Sequence, residues 1–300
     1  MRVHHVNCGT MCPPFASLVN GGGSMFERGR MVCHCLLVES SDGLVLVDTG
    51  LGTGDVENPR RRLGGGFVTL LRPTLDHRET ALAHVERLGF RRSDVRHIVP
   101  THLDLDHAGG LSDFPDATVH VHAREKAAAD ARATVGERQR YRPLHFAHGP
   151  RWKQYDVGAG GDTWFGFERV RAAIGTSDEI LLVPLFGHTR GHCGIAVKTP
   201  GGWLLHAGDA YFSHGEVHAA PPRSPWGLSF FQSRAEIDRG SRLANQVRLR
   251  ELARTRGADV TVFSAHDPTE LEDASVSVER MAAAEVEEEP PSRPTCLRST

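Results

Sequence analysis

Four side chains able to bind a metal ion, His102, Asp104, Asp106 and His107, fall within six residues, directly after the apolar-alternating run Val95-Arg96-His97-Ile98-Val99. That run reads as a strand, and Gly109-Gly110 with a helix start at Leu111 follows. The four ligands are therefore expected on a loop leaving the end of a strand, where layered α/β proteins carry their active sites.

The chain has 18 His, so a chance cluster is the competing reading of this loop alone. Three further segments argue against chance. Gly187-His188-Thr189-Arg190-Gly191-His192 sets a His on a Gly-flanked turn after the apolar run Ile180–Val183. His206-Ala207-Gly208-Asp209 sets an Asp just after Trp203–His206, and Ser264-Ala265-His266 sets a His after Val260–Phe263. Each candidate leaves the end of a strand, so one edge of a sheet sandwich would bring them together.

The organisation of the chain agrees. Val3–Val6, Val32–Val38, Leu44–Val47, Val95–Val99 and Thr118–Val121 predict strands in the first half. Phe167–Val170, Ile180–Val183, Ile195–Val197, Trp203–His206 and Val260–Phe263 predict them in the second. Apolar spacing predicts helices over Arg78–Leu88 and Arg234–Arg254, a further helix is expected over Arg124–Arg132, and Tyr141–Gly166 reads as irregular. Two strand-rich halves flanked by helices, with no linker between them, predict one α/β domain over residues 1–285. It would be a four-layer αββα sandwich of two mixed sheets packed face to face. The Glu- and Pro-rich tail, 286–300, is expected to be disordered.

A formal net charge of −2 with scattered Arg and only three Lys gives no case for nucleic acid or an anionic membrane as partner. A small-molecule substrate is the expected partner, with the oligomeric state open and a homodimer among the options. The N-terminus lacks the apolar core of a secretory signal and no stretch is long enough for a membrane span, so a cytoplasmic location is the default expectation. Six irregularly spaced Cys do not make a disulfide framework. Cys33-His34-Cys35 invites a metal reading, but alternation along a buried strand puts both thiols on one face. A structural role is preferred there, because a zinc site also needs a second ligand pair.

With these motifs in order, from Leu44-Val45-Leu46-Val47-Asp48-Thr49-Gly50 to His266, most of the chain resembles the metallo-β-lactamase superfamily of hydrolases. The resemblance implies that His102, Asp104 and His188 hold one metal, that Asp106, His107 and His266 hold a second, and that Asp209 bridges them. It assigns Asp48 to bracing the ligand loops, and His192, which ends the Gly-His-Thr-Arg-Gly-His turn, reads as a hydrogen-bonding residue that holds the ligand loop rather than as a ligand. Asp104 departs from the pattern, since most of the family has His there. A carboxylate is a harder, anionic donor, so zinc, iron and manganese all stay open, with iron and manganese favoured relative to zinc.

Two divalent transition metal ions imply a dinuclear hydrolase that attacks an ester or lactone with a metal-bridging hydroxide, with Asp106 steering it. Tyr211 is a candidate proton donor; in the family's acyl-homoserine lactonases a Tyr lies one position further along, and a wall-packing Tyr is the other reading. Thioester or phosphodiester hydrolysis is the alternative on the same site. An iron-dependent oxidoreductase is the alternative of another class, because the flavodiiron branch has an acidic residue at the place of Asp104. Met11–Ala16 and Pro225–Phe231 read either as an acyl-chain pocket or as core, and most of the remaining His read as surface or packing residues, with His145 and His148 candidates for a loop over the site.

Overall fold

Alternation within strands decides which faces meet. The computed structural model describes residues 1–156, 160–174 and 179–276; the expected disordered tail lies outside them. One mixed sheet contains β1 (Arg2–Met11), β2 (Met31–Ser40), β3 (Gly43–Val47), β4 (Val95–Val99), β5 (Thr118–His122) and β6 (Arg151–Tyr155) in that spatial order. The second contains β7 (Asp162–Trp164), β8 (Phe167–Ala172), β9 (Ile180–Pro184), β10 (Cys193–Thr199), β11 (Gly202–His206) and β12 (Val260–Phe263), ordered β12-β11-β10-β9-β8-β7. β3, β4, β5 and β6 pair in parallel, as do β11 and β12.

The inner faces supply Leu36, Val38, Val45, Val47 and Val99 from one sheet and Leu182, Ile195 and Phe263 from the other, all buried in one cluster. The outer face of the first sheet packs Cys33, Cys35, Leu37 and Leu46 against helical residues such as Val85 and Ala128. The outer face of the second takes Leu249 and Leu252 of the helix Arg239–Arg256. This is the predicted αββα layering, and buried apolar alternation at period two drives it.

Several boundaries differ from the sequence reading for physical reasons. β1 runs on to Met11 through a bulge between Asn7 and Thr10, where Gly9 takes φ 143. β6 and β7 arise inside the segment read as irregular; both are edge strands with largely exposed residues, so neither carries an apolar signature. The long helix read from Arg234 is broken, because Asp238 caps a new helix by accepting from Ser241 N at 3.1 Å. Among the described residues no helix is long and apolar enough to cross a membrane.

The sheets also enclose neutral imidazoles. His5 Nδ1 lies 2.8 Å from His34 Nε2, and the His34 ring stacks on Phe263 at 4.6 Å. Burial, then the neighbouring His206 and His4, pushes His5 down to about 4, and burial with His5 and His206 pushes His34 well below its ordinary value of 6.5. Burial, with His97 and Lys153, likewise takes His120 down to about 4. Unfolding then takes up protons below pH 6.5, so this stability is full above 6.5 and is lost as pH falls toward 4. His5 alone contributes up to about 3 kcal/mol. Denaturant titrations of chelator-treated protein between these pH values should show a steadily falling midpoint; a flat profile contradicts neutral burial of these rings.

Candidate metal centre

β3 and β4 run parallel, so Asp48 and the loop from Thr101 leave the first sheet at one edge. β9, β11 and β12 share a direction in the second sheet, and His188, Asp209 and His266 follow their ends. The structure brings all seven sequence-predicted ligand residues together at this edge. His102, His107, His188, Asp209 and His266 are each no more than 3% exposed.

Asp209 lies at the middle. Its Oδ2 is 3.3 Å from His188 Nε2 and 3.8 Å from His102 Nε2, while its Oδ1 is 3.3 Å from His107 Nε2 and 3.2 Å from His266 Nε2. Asp104 Oδ2 completes the first nest at 3.5 Å from His102 Nε2 and 3.2 Å from His188 Nε2. Asp106 flanks the second, at 3.9 Å from His107 Nε2 and 3.8 Å from His266 Nε2. Ligands of one tetrahedral ion with bonds of about 2.0–2.3 Å lie roughly 3.3–3.8 Å apart. His102 Nε2, Asp104 Oδ1 and Asp209 Oδ1 are buried without a hydrogen-bond partner, and His107 and His266 face each other Nε2 to Nε2 at 3.3 Å. Those are the properties of donor atoms arranged for cations, so the residues fit two metal ions.

The far sides of the rings fix this orientation. His107 Nδ1 bonds Asp48 Oδ2 at 2.8 Å and His266 Nδ1 donates to Val32 O at 2.7 Å, which leaves each Nε2 lone pair aimed into the site. Asp48 also accepts from Thr101 N at 2.7 Å and Thr101 Oγ1 at 2.9 Å, so one carboxylate braces both the loop and a ring. It does so with φ 57, a left-handed conformation a non-Gly residue adopts at some cost. His192 Nε2 accepts from Asp209 N at 2.9 Å. Gly208 takes φ +54 beside it, and a Cβ there would sit 2.6 Å from His192 Nε2. Replacing Asp48 with Asn should weaken metal binding about 10- to 100-fold with the fold retained, as read by chelator competition; unchanged competition contradicts the bracing role.

Two positioning residues escape the sequence reading. Glu125 is fully buried on the helix Ala123–Ala131 and accepts from Leu103 N at 3.0 Å, Thr189 Oγ1 at 2.7 Å, Gly191 N at 3.0 Å and Tyr141 Oη at 3.1 Å. It ties the loop of His102 to the loop of His188. Arg140 stands beside Asp104, with Nη1 3.4 Å from Oδ2, and donates to the carbonyls of His188 and Ala235. Burial pushes the Asp104 carboxyl upward, but Arg140, then His102 and His188, hold it well below the usual carboxylate range. Burial also opposes charge on Asp209, and His266, His107 and His188 overcome it. The only sequence signal for either residue is a charge inside a segment that must pack.

Of the two readings of Tyr211, the geometry favours packing. The side chain is fully buried in the outer core of the second sheet, and its hydroxyl donates to Glu270 Oε1 at 2.7 Å. Burial, then Glu270, drives the phenol well above its ordinary value. One position further along stands Phe212, whose ring stacks on His266 at 5.1 Å and carries no hydroxyl. His145 is turned away onto Asp55, at 2.8 Å. Of the two apolar segments, Met11 is core, Leu228 lines a cleft beside His266, and Trp226 and Phe230 are exposed.

The Metallo-beta-lactamase superfamily model matches residues 28–287. A probable metallo-hydrolase of Mycobacterium bovis is 41% identical over 268 residues, which cover 89% of this chain and 81% of the relative. The N-acyl homoserine lactonase AttM of Rhizobium johnstonii is 29% identical over 282 residues, 89% of this chain and 94% of the relative. In fold, the chain is similar to a solved N-acyl homoserine lactone hydrolase with the product N-hexanoyl-L-homoserine bound at its catalytic metal centre. The TM-score is 0.67 at 20% identity, over 90% of this chain and 95% of that one.

Proposed function

The chain belongs to the metallo-β-lactamase superfamily, and from that premise we propose that it is a dinuclear metal-dependent hydrolase of an ester or lactone. One observation carries the reading: the two oxygens of Asp209 each face a different pair of imidazole nitrogens, at 3.2–3.3 Å on one side and 3.3–3.8 Å on the other. His102, Asp104 and His188 would hold one ion, Asp106, His107 and His266 the other, with Asp209 shared. Two divalent ions there, whether zinc, iron or manganese, supply Lewis acidity and make a nucleophile of water at neutral pH.

The remaining work falls to the protein. Asp106, on the short helix Leu105–Ala108 beside the second nest, would orient water in the site. A cleft of about 250 Å³ opens beside His266, and Val19, Met31, Phe212 and Leu228 give its mixed lining an apolar part suited to an acyl chain. His214 lines the same cleft, and its Nδ1 bonds Asp267 Oδ2 at 2.8 Å. With Tyr211 committed to Glu270, His214 is the group available to give a proton to the leaving alkoxide. The named lactonases among the relatives support an acyl substrate, and the absence of a basic track argues against a nucleic-acid diester.

A panel of acyl lactones, aryl esters, acyl-CoA thioesters and bis-p-nitrophenyl phosphate tests the substrate class. Lactones or esters should turn over fastest; turnover of the phosphate diester alone would remove the acyl reading. His214→Gln should lower kcat on lactones about 100-fold and leave aryl esters, whose leaving group needs no proton, nearly unchanged. Equal losses on both would assign His214 to structure.

A further inference from the structure

β2 passes the centre with its backbone locked to the loop that carries His266. Val32 N donates to His266 O at 3.4 Å, His34 N donates to Ala265 O at 2.9 Å, and His266 Nδ1 donates back to Val32 O at 2.7 Å. Cys33 lies between these contacts. Alternation turns His34 onto Phe263 between the sheets and turns Cys33 to the opposite face. There Cys33 Sγ, a carboxylate oxygen of Asp106 and a ring nitrogen of His266 all lie within 4.8 Å of one another. The thiol is 2% exposed, and among the described residues it has no hydrogen-bond partner. Asp209 Oδ1, 3.2 Å from His266 Nε2, is likewise buried without one.

We propose that Cys33 is a further ligand of the second metal ion, alongside Asp106, His107, His266 and Asp209, and makes that position the softer of the two. The inference rests on the dinuclear reading above. Five protein donors make that ion five-coordinate, and with Zn–S of about 2.3 Å and Zn–N of about 2.0 Å at angles of roughly 90–120° sulfur and nitrogen come to about 3.1–3.7 Å, inside the 4.8 Å span that holds the three donor atoms here. On binding, the thiol gives its proton to solvent and the sulfur lone pair forms the bond; no oxidant or reductant is involved. Thiolate selects zinc over the harder ions that the Asp104 carboxylate favours, so the two positions differ in metal preference.

Cobalt(II) separates this proposal from its premise. The full chain, stripped with a chelator and titrated with cobalt, should bind two equivalents and develop visible ligand-field bands together with a near-ultraviolet thiolate-to-cobalt charge-transfer band. Cys33→Ser should lose the charge-transfer band and Cys35→Ser should keep it. Two bound equivalents without that band, or a band that vanishes in Cys35→Ser and survives in Cys33→Ser, overturns the assignment and leaves the dinuclear centre standing. Failure to bind cobalt overturns both. If Cys33→Ser does not fold, X-ray absorption at the zinc edge of the unaltered protein decides: a sulfur scatterer at about 2.3 Å is expected, and its absence refutes the ligand.

Discussion

Asp209→Ala should lower kcat/KM on the best substrate of the panel by on the order of 10³-fold or more, the largest effect expected of any single change in the chain. The reason is geometric. Asp209 is the one residue shared by both nests, with each carboxylate oxygen within 3.8 Å of two imidazole nitrogens. Its place is set by His192, which accepts from its backbone N–H at 2.9 Å, so the methyl of Ala leaves four Nε2 atoms with no common anionic partner. Asp209→Asn keeps the shape and removes the charge, and it should lose nearly as much. A variant that retained a tenth of the activity would show that the two nests work without a bridge.

Arg140→Met should destabilise the metal-free protein by about 3–5 kcal/mol, because it leaves a buried carboxylate and two carbonyls without their cation. Arg140 Nη1 is 3.4 Å from Asp104 Oδ2 and 3.2 Å from His188 O, and Nη2 bonds Ala235 O, so one guanidinium joins both loops of the first nest to the end of the helix Trp226–Ala235. Bound metal would meet part of the Asp104 charge. The loss should therefore shrink when the protein is loaded, and denaturant titrations with and without chelator read that difference. A loss below about 1 kcal/mol in the metal-free form contradicts a structural role for the pair. The same guanidinium offsets the extra negative charge that Asp104 brings in place of His, a compensation invisible in the loop itself.

The candidate ligands stood out in the sequence because they come in short local motifs, each at the end of an apolar run whose period reveals a strand. His102 to His107, Gly187 to His192 and His206 to Asp209 need no knowledge of distant partners. Glu125 and Arg140 act only through residues far away in the chain, such as Gly191 and Asp104, and no local pattern sets them apart from a helix charge; Cys33 stood in a Cys-His-Cys run, but its proximity to Asp106 and His266 comes from the fold alone. Tyr211 and Phe212 illustrate the same limit. Adjacent aromatics point in opposite directions, one to Glu270 and the other to His266, and only the backbone after Asp209 decides which. The layering followed from inner-face alternation, whereas β6 and β7 were hidden because edge strands bury too little to show a period.

Metal stoichiometry tests the dinuclear centre most directly. Chain that has been stripped, reconstituted with excess zinc or manganese and freed of loose ions by gel filtration should carry two equivalents by inductively coupled plasma mass spectrometry. Asp209→Ala should carry fewer. One equivalent or none in the unaltered protein, under conditions where it remains folded, would contradict a centre built on two nests that share Asp209.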